Sequence, residues 1–359
     1  MIALPDFPWD RLAPYKELAS AHPGGIVDLS VGTPVDPVPE VARSALAEAA
    51  NSPGYPQTYG TARLREAAAR WLRRRHGVTV DPAAVLPTIG SKELVAWLPT
   101  LLGVGPGQRV IFPELAYPTY DVGARLAGAE PYPADGLLAL GPERAALVWV
   151  NSPSNPTGRV LPPEHLRKVV AWARERGAVV ASDECYIELG WEERPVSILH
   201  PEVCGGSHEG LLAVHSLSKR SNLAGYRAGF IAGDPQLVRR LLEIRKHAGM
   251  MVPAPVQAAM VAVLDDDRHA EEQRERYARR RAALRPALER AGWIIEHSVA
   301  GLYLWATNGT DCWEQVRALA ERGILVAPGE FYGPAGRRYV RIAVTASDER
   351  IAAAVDRLK

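Results

Sequence analysis

Several polar side chains in this sequence stand where apolar, strand-like runs end, and their types suit one kind of chemistry. Lys219 follows LLAVHSLS within HSLSKRSNLAGYRAGF (215–230), and Asp183 closes GAVVASDE with Tyr186 three residues on. Asn155 lies in SPSNPTG, after ALVWVN, and Gly90-Ser91-Lys92 follows VLPTI. A lysine amine held in a partly desolvated, cation-rich pocket gives up its proton more readily and can form a Schiff base. Ser216, Ser218 and Arg227 surround Lys219 with the hydroxyls and guanidinium expected around a phosphate. Gly90-Ser91-Lys92, opening a helix, offers free backbone N–H groups and a positive dipole end. Asn155, between two prolines, can donate to a ligand oxygen, and Asp183 can pair with a cation. Taken singly, each has a plainer reading: a βα turn, an Asn-Pro turn, a helix-capping carboxylate, a surface lysine. Their recurrence at successive strand ends favours the chemical reading. Pyridoxal 5′-phosphate (PLP) needs a lysine for its aldehyde, donors for its phosphate, an acid for its ring nitrogen and a donor for its phenolic oxygen.

The elements that must position these groups follow from hydrophobic period. From about residue 60 to 250, β-rich runs alternate with helical segments, the pattern of an α/β fold with a mainly parallel sheet between helices. VLPTIG, RVIFPE, ALVWVNSP, GAVVASDE, LLAVHSLS and GFIAG read as strands. SKELVAWLPTLL and PPEHLRKVVAWARERG read as helices, the latter bracketed by opening prolines and Gly177. In such sheets ligands bind outside the carboxyl ends of the strands. After VPAPVQ a long charged helix (roughly 265–292) leads into a mixture of strands and helices suited to a smaller α+β domain. The expected division is residues 41–250 as the large cofactor-binding domain, 251–359 as the small domain, and 1–40 as a segment packed on the small domain.

Lys+Arg 42 against Asp+Glu 41 leaves a formal charge of +1, so no global field draws the chain to nucleic acid or an anionic membrane. The arginine-rich runs LREAAARWLRRRHG and EEQRERYARRRAALRPALERAG carry interrupting acids, and Tyr277, Leu284 and Leu288 form an apolar stripe, which reads as a solvated helix face. Cys185, Cys204 and Cys312 lack CxxC spacing, so neither a disulfide framework nor a zinc site is indicated. The opening MIALPDFPWDRLAPY lacks the cationic start and apolar core of a signal peptide, and a cytoplasmic location is expected. GVGPGQ follows a helix rather than a strand, against a dinucleotide fingerprint.

SLSKRSNLAGYRAGF, NSPSNPTG and SDECY together resemble the class I/II aminotransferases of PLP fold type I, in the right order across nearly the whole chain. DFPWDRLAPY and VDLSVGTPVDPVP are similar to the actinobacterial succinyldiaminopimelate aminotransferases. The resemblance implies Lys219 as the Schiff-base lysine and Asp183 as the partner of the ring nitrogen. Asn155 and Tyr186 would hold the phenolic oxygen, and Tyr117 would stack on the ring, a role open also to Tyr120. Gly90, Ser91, Ser216, Ser218, Arg227 and the backbone N–H of Lys92 would surround the phosphate. Tyr55 would reach the phosphate of a neighbouring subunit, implying a homodimer. Arg341 would clamp the substrate α-carboxylate, with Gly32 bringing backbone close to it. The implied reaction moves an amino group between glutamate and N-succinyl-2-amino-6-ketopimelate, whose distal carboxylates call for a further cation. Lys16, Lys246, Arg337 and Arg338 are candidates. An aspartate, aromatic or alanine aminotransferase, or a PLP carbon–sulfur lyase, would share the cofactor residues.

Overall fold

The computed structural model describes residues 4–136 and 145–359. Its strands in chain order are β1 (Val27–Asp28), β2 (Val85–Ile89), β3 (Arg109–Phe112), β4 (Glu130–Pro133), β5 (Ala145–Asn151), β6 (Val179–Asp183), β7 (Leu211–Ser216), β8 (Ala228–Gly233), β9 (Ile294–Glu296), β10 (Tyr303–Thr307), β11 (Ile324–Leu325), β12 (Ala327–Pro328) and β13 (Val340–Ala343). Seven of them form the central sheet in the order β2-β8-β7-β6-β5-β3-β4. Pairing is parallel from β7 to β4, and β8 runs antiparallel to both β7 and β2. This is a mixed α/β fold with a mainly parallel sheet. β4, the sequence EPYP, is an edge strand that no periodicity announced; its two prolines cannot donate to a ladder, which suits an edge.

Because β5 to β7 are buried throughout, they read as continuous apolar runs rather than alternating ones. Helices cover both faces. Gly90–Leu101 packs on one side with Leu86, Trp149 and Leu212, and Pro163–Arg176 and Ala62–His76 pack on the other with Val148, Val180 and Ala213. Gly177 ends its helix at φ 66°, a left-handed conformation that glycine adopts without Cβ strain.

A separate apolar cluster joins Leu12, Ala19, Val27 and Leu29 to Leu304, Val316, Ile342 and Ile351. β1 pairs in parallel with β11, so the start of the chain packs with its end. β12, β13, β10 and β9 form a second sheet, antiparallel throughout. The helix Ala254–Asp265 belongs to the large core, against the helices Glu40–Glu48 and Ala62–His76. The 23-residue helix Arg268–Arg290 then lends Tyr277, Leu284 and Leu288 to the second cluster. Among the described residues no helix is long and apolar enough to cross a membrane, and no group of three His, Cys, Asp or Glu side chains could hold a metal ion.

Candidate active site

The strand ends meet the second sheet around a cavity of about 430 Å³, large enough for a cofactor-sized ligand. Its wall includes Lys219, Asp183, Tyr186, Asn155, Tyr117 and Arg341, drawn from five separate segments of the chain. Ser91, Lys92, Ser216, Ser218, Arg227 and Gly32 line it too. Gly90 lies just behind, where an added Cβ would overlap the Arg227 guanidinium. Tyr55 does not reach this cavity; its side chain is 98% exposed elsewhere on the surface. Lys16, Lys246, Arg337 and Arg338 are also absent from the wall, with Lys246 paired to Glu243 and Arg338 donating to the Gly309 carbonyl. These four are therefore not placed to read a ligand held in the cavity.

Lys219 sits in a single helical turn, Leu217–Arg220, directly after β7. Ser216 Oγ caps that turn by accepting from the Ser218 N–H at 3.2 Å. The Lys219 ammonium donates to the Gly32 carbonyl, across from the other end of the chain. Burial lowers its pKa, Arg341 and Arg227 add to the effect, and Tyr303 and Cys185 oppose it. Such an amine is closer to its nucleophilic form than a surface lysine.

Asp183, at the end of β6, is buried, and burial raises its pKa against the lowering effect of its hydrogen bonds. Tyr120 donates to its Oδ2 at 2.8 Å and the Cys185 N–H to its Oδ1 at 3.2 Å. Tyr120 is wholly buried and stacked on Trp149, so it supports the carboxylate from behind and presents no face to a ligand. Tyr117, perpendicular to Tyr120, is the tyrosine of the pair that lines the cavity, and burial pushes its phenol up to about 12. Asn151, a residue that sequence reasoning passed over, braces this floor by donating to the Asp183 carbonyl and accepting from the Asn155 N–H at 2.7 Å.

Arg341, on β13, is 3% exposed and donates to Asn155 Oδ1 at 2.9 Å and to the Ser30 carbonyl at 2.6 Å. Its guanidinium lies between the rings of Tyr303 and Tyr332, 3.9 and 4.9 Å from their centroids. Its Nε has no hydrogen-bond partner among the described residues, a buried donor that suits an incoming carboxylate. Arg227 adopts φ 56°, an uncommon conformation for a side-chain-bearing residue, held by its bond to the Ala224 carbonyl at 2.7 Å.

The wall thus carries Lys92, Lys219, Arg227 and Arg341 against one carboxylate, Asp183. Small donors beside Gly90, a buried acid and an amine of lowered pKa make a set that fits PLP. Phe7, Trp9, Val31, Cys185 and Tyr303 also line the wall, with Asn151 and Ala224, and no spacing in the sequence marked them.

Fold and cavity together define a PLP-dependent enzyme of fold type I. The chain belongs to the class I and II aminotransferases: that family's description matches residues 25–358. It is 66% identical over 358 residues, spanning all of both chains, to 4-dedimethylamino-4-oxo-anhydrotetracycline transaminase of Streptomyces rimosus. It is 35% identical to LL-diaminopimelate aminotransferase of Aquifex aeolicus, over 93% of this chain and 91% of that one. A solved structure of a probable N-succinyldiaminopimelate aminotransferase from Thermus thermophilus superposes with a TM-score of 0.88 at 32% identity, covering 98% of this chain and 99% of the other.

Proposed function

We propose that the chain transfers an amino group between glutamate/2-oxoglutarate and N-succinyl-2-amino-6-ketopimelate, in diaminopimelate and lysine biosynthesis. When bound, PLP supplies an aldehyde for the amino group and a sink for the electrons of the Cα–H bond. Lys219 would carry the aldehyde in the resting enzyme, and its Nζ would take and return the substrate Cα proton. Asp183 would pair with the ring nitrogen, Asn155 and Tyr186 would donate to the phenolic oxygen, and Tyr117 would cover a ring face. The Gly90-Ser91-Lys92 backbone, Ser216, Ser218 and Arg227 would hold the phosphate. Arg341 would grip the α-carboxylate, and the Gly32 carbonyl would keep Lys219 beside it. Residues 41–250 would bind the cofactor, with the helix Ala254–Asp265 packed on them, and the rest of 251–359 with the first forty residues would close the substrate side. A homodimer in the cytoplasm completes the reading; the exposed ring of Tyr55, outside the lining of its own cavity, supports a role in a neighbour's site.

The observation that carries the substrate choice is Lys92. Its ammonium lies in the cavity wall, 5.6 Å from the ring centroid of Phe7, and Arg341, Lys219 and Arg227 already have tasks. Among the described residues of the wall, Lys92 is the cation left to receive a distal carboxylate. Among similar structures, the name of the probable N-succinyldiaminopimelate aminotransferase supports the same substrate. A second reading, transfer to a fused-ring ketone, is favoured by the 66% identity to the tetracycline-pathway transaminase and by the aromatic rings of Phe7 and Trp9. A panel of amino acceptors with glutamate as donor decides. The highest kcat/KM with the succinylated ketopimelate is expected, and no preference over common keto acids or a fused-ring ketone would sink the assignment.

A further inference from the structure

Tyr303, at the start of β10, touches three parts of the site. Its Oη lies 3.1 Å from Tyr186 Oη, both side chains being buried. Its ring lies under the Arg341 guanidinium at 3.9 Å. Its hydroxyl fills the space in which a Cβ on residue 32 would stand, next to the carbonyl that receives the Lys219 ammonium. A glycine at position 32 is what lets this phenol approach. Tyr332 also lies against the guanidinium, 4.9 Å from it, but its own hydroxyl has no partner among the described residues.

We propose that Tyr303 is a positioning residue that donates its hydrogen bond to Tyr186, fixing the Tyr186 hydroxyl as a donor aimed into the cavity. Between two phenols either oxygen can donate, and surrounding charge decides the polarity. Arg341 and Lys219 both act on Tyr303, and positive charge beside a hydroxyl turns its lone pairs toward the cations and its hydrogen away, toward Tyr186. Burial alone would raise Tyr303, yet the charges of Arg341 and Lys219 outweigh it and the phenol is lowered. Burial raises Tyr186, and neighbouring Tyr303 and Cys185 reinforce that against Arg341. The more acidic phenol is the better donor. Each oxygen keeps its own proton, so the device moves no charge; it sets an orientation, and it links the carboxylate clamp on β13 to the end of β6.

The proposal rests on the roles given above to Lys219 and Tyr186, and it is tested with holoenzyme variants Tyr303→Phe and Tyr332→Phe. Both keep a ring on Arg341, so the KM for glutamate should hold in each. A donor at the cofactor's phenolic oxygen stabilises its charge, so weakening Tyr186 makes the visible chromophore keep its proton to higher pH. Tyr303→Phe should raise the midpoint of the spectroscopic pH titration by about half to one unit and lower kcat about three- to tenfold, the worth of one ordinary hydrogen bond. Tyr332→Phe should leave both unchanged. A wild-type midpoint in Tyr303→Phe, or an equal shift in Tyr332→Phe, overturns the proposal. A wild-type protein without a pH-dependent visible band, or a Lys219→Ala protein that keeps one, removes the site assignment and the proposal with it.

Discussion

Tyr120 Oη donates to Asp183 Oδ2 at 2.8 Å, so the one carboxylate that the described residues bring to the cavity wall is held by a phenol outside that wall. The Tyr120 phenol is raised well above its usual value, by burial first and by the adjacent carboxylate, and so it stays a neutral donor at any working pH. The bond lowers the Asp183 pKa against the burial that raises it.

Tyr120→Phe should therefore act through Asp183. Its loss leaves the Cys185 N–H at Oδ1 and removes one of the bonds that lower the carboxyl pKa. A hydrogen bond to a charged buried group is worth about 1.5–3 kcal/mol, so kcat should fall by about ten- to a hundredfold. The acid limb of the kcat profile should move to higher pH, because the carboxyl now needs a higher pH to ionise. An unmoved limb would show that Tyr120 only packs.

Arg341→Lys keeps the charge and loses the fork. A lysine cannot bond Asn155 and the Ser30 carbonyl while offering a planar face between two tyrosines. The expected loss in kcat/KM for glutamate is about a hundredfold, mostly in KM, read from steady-state kinetics.

Lys92→Gln tests the distal cation. The variant should lose about tenfold in kcat/KM toward a dicarboxylate acceptor and little toward a keto acid without the second carboxylate, measured with glutamate as common donor. Equal losses for both acceptors would place Lys92 in the phosphate cradle instead.

Glu184 offers a stability test apart from activity. It is wholly buried, its Oε1 accepts from the Ile198 N–H at 2.7 Å, and His215 Nε2 lies 3.6 Å from its Oε2. Burial raises its pKa from 4.5 to about 7. A carboxyl raised on folding contributes stability that is full below its unfolded pKa and is lost as pH rises through the folded value. Wild-type stability should thus decline between about pH 4.5 and about pH 7 and level off above, by an amount on the order of 3 kcal/mol that Glu184→Gln does not show. Urea midpoints across that range read the difference; parallel curves would refute it.

The central strands were legible because their apolar runs are set locally. VVASD and LLAVHS are buried on both faces, and the side chains just beyond them must emerge at the carboxyl edge of the sheet. Asp183, Lys219 and Asn155 thus meet in space because the parallel register of β5, β6 and β7 aligns those edges. β4 was not legible, since a proline-rich edge strand carries no alternation, and Tyr120 was open to a stacking role because nothing in AYPTY shows which ring turns inward.

The sequence by itself determined the α/β sheet, the family and the group of cofactor-type side chains at its strand ends, because each depends on a few neighbouring residues. The tertiary structure decided what faces them. Phe7, Gly32, Lys92, Tyr303 and Arg341 lie up to hundreds of residues apart and share one wall only because β1 pairs with β11 and the second sheet packs against the mouth of the first. No local period encodes that approach: it is fixed by the burial of an apolar cluster built from both ends of the chain.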